Sequence, residues 1–237
     1  MAKSLKLVLL VPHFAPDTAP TGEVITRVVE QLVEQGHRLH VITSLPWYAN
    51  HQIEPGWQGK LVRHELTEWG KITRVYPFPA KDKQRIITRA LSFVGFTGLV
   101  ALQALRGSNA DAVLAMSPPL TLGWAGWIAA KRNRAPLVLN LQDVYPDVAI
   151  DVGVLKGQKA ISVFRFLERW SYRAADAVTV LSEDLRASVA PRADNVDKVR
   201  VIPNFVDTQR VRPMDRENSY RDEFGLTGKT VVMYAGN

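Results

Sequence analysis

Cysteine is absent from all 237 residues, which excludes a disulfide framework, a thiolate nucleophile and any Cys-ligated metal site. A reducing compartment follows as the expectation, with the cytoplasm as the default location. No export signal is legible, because the apolar run after Lys6 stops at Pro12, too soon for a leader sequence. The first strand-to-helix turn lacks the spaced glycines of a dinucleotide fingerprint, and no phosphate loop ending in Lys and Ser or Thr occurs. There is no Tyr-x-x-x-Lys pair, which argues against a nucleotide-sugar epimerase. Internal repeats and low-complexity stretches are also missing. Acidic residues are in the minority, with Lys and Arg in excess by seven, a balance that favours anionic lipid or sugar-phosphate partners. The basic residues are spread along the chain without zinc-finger spacing or an RNA-binding signature, so nucleic acid is not expected as a partner.

What the chain does have is alternation. Val-, Leu- and Ile-rich runs at Lys6 to Val11, Leu39 to Thr43, Ile72 to Tyr76, Asp111 to Met116, Leu137 to Leu141, Ala177 to Leu181 and Val199 to Ile202 read as strands buried on both faces. Helical patterns separate them. Between Thr21 and Gly36 the apolar residues fall on one face, and Gly36 closes the helix. From about Gln158 to Ala174 the period puts Ile161, Phe164, Leu167 and Ser171 inward and Arg165, Glu168 and Arg169 outward. The fold class that follows is α/β, a doubly wound parallel sheet of Rossmann-like type. Leu45 to Gly70, rich in Trp, Pro and His, is too long for an ordinary crossover: it is an excursion over the ligand face or holds short strands.

Two apolar helices have more than one reading. Ile86 to Leu105 is interrupted by Arg89, Gly95 and Gly98 and preceded by Lys81, Lys83 and Arg85, so a membrane span is not expected. It reads either as a covering helix on the sheet or as a helix in contact with an anionic membrane surface. Leu120 to Ala130, with Trp124 and Trp127, reads as core. The last seven residues, Val231 to Asn237, read as an apolar strand entering a glycine turn, the start of a new βα unit. The expected organisation is a domain over 1–208, a linker over 209–229 and the first strand of a second domain over 230–237.

In a doubly wound sheet the ligand lies at the carboxyl ends of the strands. The loop after the first strand, Pro12 to Glu23, is stiffened by prolines and runs into a helix at Thr21 and Gly22. Free N–H groups there, with the helix dipole, suit a phosphate; the plainer reading is Thr21 as an N-cap. Met116 to Pro119 brings Ser117 to the sheet edge, with a helix start as the plainer reading. The loop Leu141 to Asp147 offers Asp143, Tyr145 and Asp147, and a carboxylate there orients a hydroxyl or takes its proton. Ile202 to Asp207 contributes Asn204 near the expected linker.

Taken in order, HFAPDTAPTGE, SPP, LQDVYPD, FRFLERWSYRAADAVTVLSE, VIPNFVD and VVMYAGN make the chain similar to the amino-terminal half of a family 4 glycosyltransferase, from about Leu5 to Asn237. Within that family it most resembles bacterial enzymes of O-antigen, colanic acid and capsular polysaccharide assembly. The resemblance implies a GT-B fold, two Rossmann-like domains facing across a cleft, with retaining transfer and neither metal nor cofactor. The nucleotide sugar is a substrate, held mainly by a carboxyl-terminal domain whose paired glutamates and basic clamp are missing here. By position, Thr21 and Gly22 approach the donor phosphates. His13, Asp17, Ser117, Tyr145, Asp147 and Asn204 fall on the acceptor side, and Asp143, the expected catalytic residue, takes the place where the wider family often has a histidine. The implied partners are the donor, a lipid-linked or saccharide acceptor, the missing domain and an anionic membrane surface, with peripheral attachment at its inner face. The alternative is a catalytically inactive acceptor- or membrane-binding module, or half of a split enzyme.

Overall fold

The computed structural model describes residues 3–79, 86–106, 109–147, 150, 153, 155, 157–209 and 211–234. The chain divides into two units, 1–204 and 205–237.

The first unit is built on one eight-stranded sheet. Its strands are β1 (Lys6–Leu10), β2 (Arg38–Ser44), β3 (Val62–Thr67), β4 (Gly70–Val75), β5 (Ala112–Ser117), β6 (Leu137–Leu141), β7 (Ala177–Val180) and β8 (Val199–Val201). They lie in the order β3-β4-β2-β1-β5-β6-β7-β8, and all neighbours are parallel except the β3/β4 hairpin at one edge. The chain leaves β1 toward β2 and β4, then returns to β5 on the other side of β1. That reversal opens a crevice at the carboxyl ends of β1 and β5.

Among the described residues, the helices that pack with the sheet are α1 (Pro20–Glu34), α2 (Ile86–Leu105), α3 (Leu122–Asn133), α4 (Gln158–Ala174) and α5 (Glu183–Val189). Ile25 and Val29 of α1 pack with Leu9, Val41 and Ile72 on one face of the sheet. On the other face, Phe96 and Val100 of α2, Leu122 and Ala125 of α3 and Tyr172 of α4 join Leu10, Ile42, Ala115 and Leu139. Strands covered on both faces have no polar side to alternate with, which is why their apolar runs were legible as parallel strands. Trp124 of α3 and Trp170 of α4 have ring centroids 4.2 Å apart at the seam between those helices.

The structure bears out the short-strand reading of the long excursion and corrects one expectation about a helix face. The long segment Leu45 to Gly70 contains strand β3, whose turn back to β4 passes through Gly70 at φ +151°. A Cβ there would lie 2.0 Å from the Leu39 carbonyl oxygen, so only glycine lets β4 press against β2. Glu168 faces inward rather than outward: it is buried, and its Oε1 accepts from the Tyr172 hydroxyl at 3.0 Å and from Arg192 Nη1 at 2.7 Å. Helical periodicity alone reads a carboxylate as solvated, and a distant arginine reverses that.

In the second unit, the side chain of Asn218 caps a short helix, Ser219–Glu223, and Arg221 donates to the carbonyls of Leu226 and Lys229. Val231 to Tyr234 form no strand, and Val232 and Tyr234 are exposed. Ala235 to Asn237 lie outside the described residues, as do Lys81, Lys83 and Arg85.

Candidate active site

A cavity of about 580 Å³ occupies the switch point. Pro12 and His13 follow β1, Ser44, Trp47 and Tyr48 come from the end of β2 and beyond, and Pro118 and Pro119 follow β5. Phe93 and Phe96 of α2, with Phe78, close the apolar side, and Thr21 and Tyr145 complete the wall. Mostly apolar walls with a few placed polar groups are the usual build of a small-molecule site.

The loop after β1 is fastened from several directions. Thr26 Oγ1 accepts from the Ala15 N–H at 3.1 Å and donates to the Gly22 carbonyl at 2.7 Å, tying the loop to α1. Arg74 of β4, buried, donates from Nη2 to the Ala15 carbonyl at 2.6 Å and from Nε to Glu65 Oε1 at 2.8 Å. The prolines stiffen this loop, and Arg74 holds it against the sheet.

Within it, His13 Nδ1 lies 2.7 Å from Asp17 Oδ2. Asp17 is buried, and its Oδ1 accepts from the Tyr48 N–H at 3.1 Å. A carboxylate only accepts, so the proton of this pair sits on His13 Nδ1, and Nε2 is left to meet a hydroxyl. The His13 ring stacks on Trp47 at 5.8 Å and meets the edge of Tyr48 at 5.4 Å. Asp17 and the two aromatics fix the ring from behind and from the side.

Helix α1 presents its first turn to the same cavity. Its N-cap is Ala19, with no side-chain cap, and Pro20 occupies the first helical position. Thr21 is therefore inside the helix, and the plainer reading of it as N-cap is set aside. Uncapped N–H groups at a helix start attract anions. A Cβ added to Gly22 would sit 3.0 Å from His13 Cβ and 3.5 Å from the Asp17 carbonyl oxygen, so glycine permits the helix to abut the His13 loop.

The other expected residues separate. Tyr145 lines the cavity, whereas Asp143 is exposed and is not in its wall. Asp147 is ion-paired with Arg192, which also binds the buried Glu168. Burial pushes the Glu168 carboxyl above the usual range, and Arg192 pulls it back. Asn204 donates to Gln142 Oε1 at 2.9 Å, and Gln142 in turn donates to Asn140 Oδ1 at 2.7 Å, a relay across the ends of β6 and β8. Ser117 is buried, and its Oγ has no hydrogen-bond partner among the described residues. Sequence reasoning did not select Ser44, Trp47, Tyr48 or Phe78. Their signal was the Trp- and Pro-rich excursion after β2, which marked a place without giving a direction.

Residues 21–204 match the model of the glycosyl transferase 4-like domain. The chain belongs to that family. It is 24% identical over 242 residues to WcaI of Escherichia coli (strain K12), assigned as a colanic acid biosynthesis glycosyl transferase, covering 98% of this chain and 59% of that protein. It is 28% identical over 233 residues to the GDP-mannose-dependent alpha-mannosyltransferase of Mycobacterium tuberculosis (strain CDC 1551 / Oshkosh), covering 98% and 56%. This family 4-like chain thus spans little more than half the length of the curated relatives it matches. Among solved structures, sucrose-phosphate synthase from Thermosynechococcus elongatus superposes with a TM-score of 0.63 at 15% identity, over 94% of this chain and 53% of that one. Anabaena HepE, solved with UDP-glucose, does so with a TM-score of 0.54 at 15% identity, over 94% and 50%. At such identities the likeness shows the fold, the Rossmann-like α/β architecture of the GT-B glycosyltransferases.

Proposed function

We propose that this chain is the acceptor-side domain of a retaining, metal-independent glycosyltransferase of bacterial surface polysaccharide assembly. Its donor is a nucleotide sugar, and its acceptor a lipid-linked glycan at the inner face of the cytoplasmic membrane. One observation carries the reading: a single cavity receives both the uncapped start of α1 and a His13 ring fixed by Asp17.

In the transfer, the bond from the anomeric carbon to the diphosphate oxygen breaks and its electron pair leaves with the nucleoside diphosphate. The acceptor oxygen bonds to the same carbon and gives up its proton to His13 Nε2. His13 Nε2 accepts a hydrogen bond from that hydroxyl and aims its lone pair. The N–H groups at Thr21 and Gly22 face the charge developing on the phosphate. Asp143, exposed and outside the cavity wall, is given no part in this scheme. A second domain supplies the grip on the nucleotide, so the 237-residue chain alone shows negligible turnover. The names of the relatives support the class of reaction: one is GDP-mannose-dependent and another is assigned to colanic acid biosynthesis.

The test is transfer of labelled sugar by the full-length protein. There His13→Ala lowers kcat/KM by about 10²-fold or more, the range for a positioned proton-handling group. Parental rates in His13→Ala overturn the assignment.

A further inference from the structure

We infer that Ser44 is a hydroxyl-reading position in the cavity floor, with Ser117 two strands away in the same row, so that the cavity takes the acceptor's terminal sugar ring and not its lipid chain. This rests on the reading of the domain as the acceptor side. Strand register places the two serines. Leu10 of β1 pairs with Ile42 of β2 on one side and with Ala115 of β5 on the other. Two residues further along each strand, Ser44, Pro12 and Ser117 stand in one row, and alternation turns them to the face that carries α2 and α3. Ser44 and Pro12 line the cavity under Phe93 and Phe96.

Both serines are 1% exposed, and neither Oγ has a hydrogen-bond partner among the described residues. A row that otherwise continues Ile, Leu and Ala has no packing need for hydroxyls. Buried hydroxyls without partners destabilise a fold, and a ligand that supplies the partner recovers the loss on binding. A polyprenyl chain has no hydroxyl to offer Ser44 or His13 Nε2. A pyranose ring offers hydroxyls at its rim and apolar C–H faces for the Trp47 and Phe93 rings. Among the two parts of a lipid-linked acceptor, only the sugar fits both the floor and the walls. A site built to bond a hydroxyl rejects the analogue that lacks it, so Ser44 becomes a determinant of which sugar is accepted.

The experiment titrates the 237-residue chain with the methyl glycosides of glucose, galactose and mannose, their monodeoxy analogues, and farnesyl diphosphate as the lipid probe. Tryptophan fluorescence and saturation-transfer NMR report binding. At least one glycoside is expected to bind, with Ser44→Ala weakening it about fivefold or more. The same substitution leaves unchanged the affinity for the one deoxy analogue that lacks the hydroxyl Ser44 reads. Ser44→Ala also leaves Tm unchanged or raises it, because the substitution removes an unpaired hydroxyl. A lowered Tm gives the hydroxyl a structural role and ends the inference. Equal glycoside affinity in the variant, displacement of glycoside by farnesyl diphosphate, or binding of farnesyl diphosphate alone ends it too, and leaves the acceptor-side reading standing. Binding of neither class overturns both.

Discussion

Gly22 stands where the first turn of α1 comes closest to the loop that carries His13. An added methyl would meet His13 Cβ at 3.0 Å and its carbonyl carbon at 3.4 Å, and both belong to a loop held by Arg74, Thr26 and Asp17. The loop has little freedom to yield, so Gly22→Ala costs about 1–2 kcal/mol of stability. It also turns the His13 ring, so binding of any cavity ligand weakens more than stability does. Gly98 is the control: it lies within α2, and nothing stands within 4 Å of a Cβ added there. Gly98→Ala should raise the urea midpoint by about 0.5–1 kcal/mol equivalent, while Gly22→Ala lowers it. Equal midpoints for the two variants would show that the helix does not press on the loop.

At the scale of elements, Arg192 is the junction. It lies in a 3₁₀ turn after α5 and binds Glu168 of α4 and Asp147 of the loop that carries Tyr145. Arg192→Met leaves Glu168 buried without a cation, at a cost of about 3–5 kcal/mol at pH 7. The sign with pH follows from the raised native pKa. Ionisation of Glu168 favours the unfolded chain, so the deficit grows as pH rises above the ordinary value of 4.5 and fades below it. Urea denaturation at pH 7 and in mild acid checks this, with Glu168→Gln restoring most of the loss in the Arg192→Met background. A deficit independent of pH would place the effect elsewhere. None of this was legible in the sequence, because the three residues are brought together only by the packing of α4 beside β6. The strands themselves were legible, since burial on both faces demands continuous apolar runs. β3 was not: Val62 to Thr67 lies at the sheet edge with only part of one face covered, so its pattern is mostly polar.

At the scale of the whole molecule, α2 does two things at once. Its Phe96, Val100 and Ala104 enter the core, while Leu91, Val94, Leu102 and Leu105 are exposed along the opposite stripe. Among the described residues no helix is long and apolar enough to cross a membrane. We propose that the stripe rests on an anionic membrane, with Lys83 and Arg85 preceding it in the sequence. Each basic residue near such a surface is worth about 1 kcal/mol, weakened by salt. Sedimentation with phosphatidylglycerol vesicles is expected to fall with added salt, and to fall again in Lys83→Glu with Arg85→Glu and in Leu91→Ser with Val94→Ser. Binding that all these changes leave untouched removes membrane contact from the proposal.

The sequence by itself determined the layered sheet, every strand but β3 near its observed ends, and the loops at the carboxyl ends of the strands as the place to look. Those follow from local rules: apolar runs, glycine stops and proline-stiffened turns act over a few residues and survive without partners. Only the tertiary structure decided which side chains meet. It set His13 against Asp17, buried Ser44 in the cavity floor, drew Asp147 to Arg192 and left Asp143 exposed outside the cavity wall. Apart from His13 and Asp17, four residues apart in a loop that Tyr48 and Arg74 fasten, each of those outcomes depends on register and on packing between segments tens of residues apart. Hydrogen-bond geometry and desolvation come into being only when those segments close together.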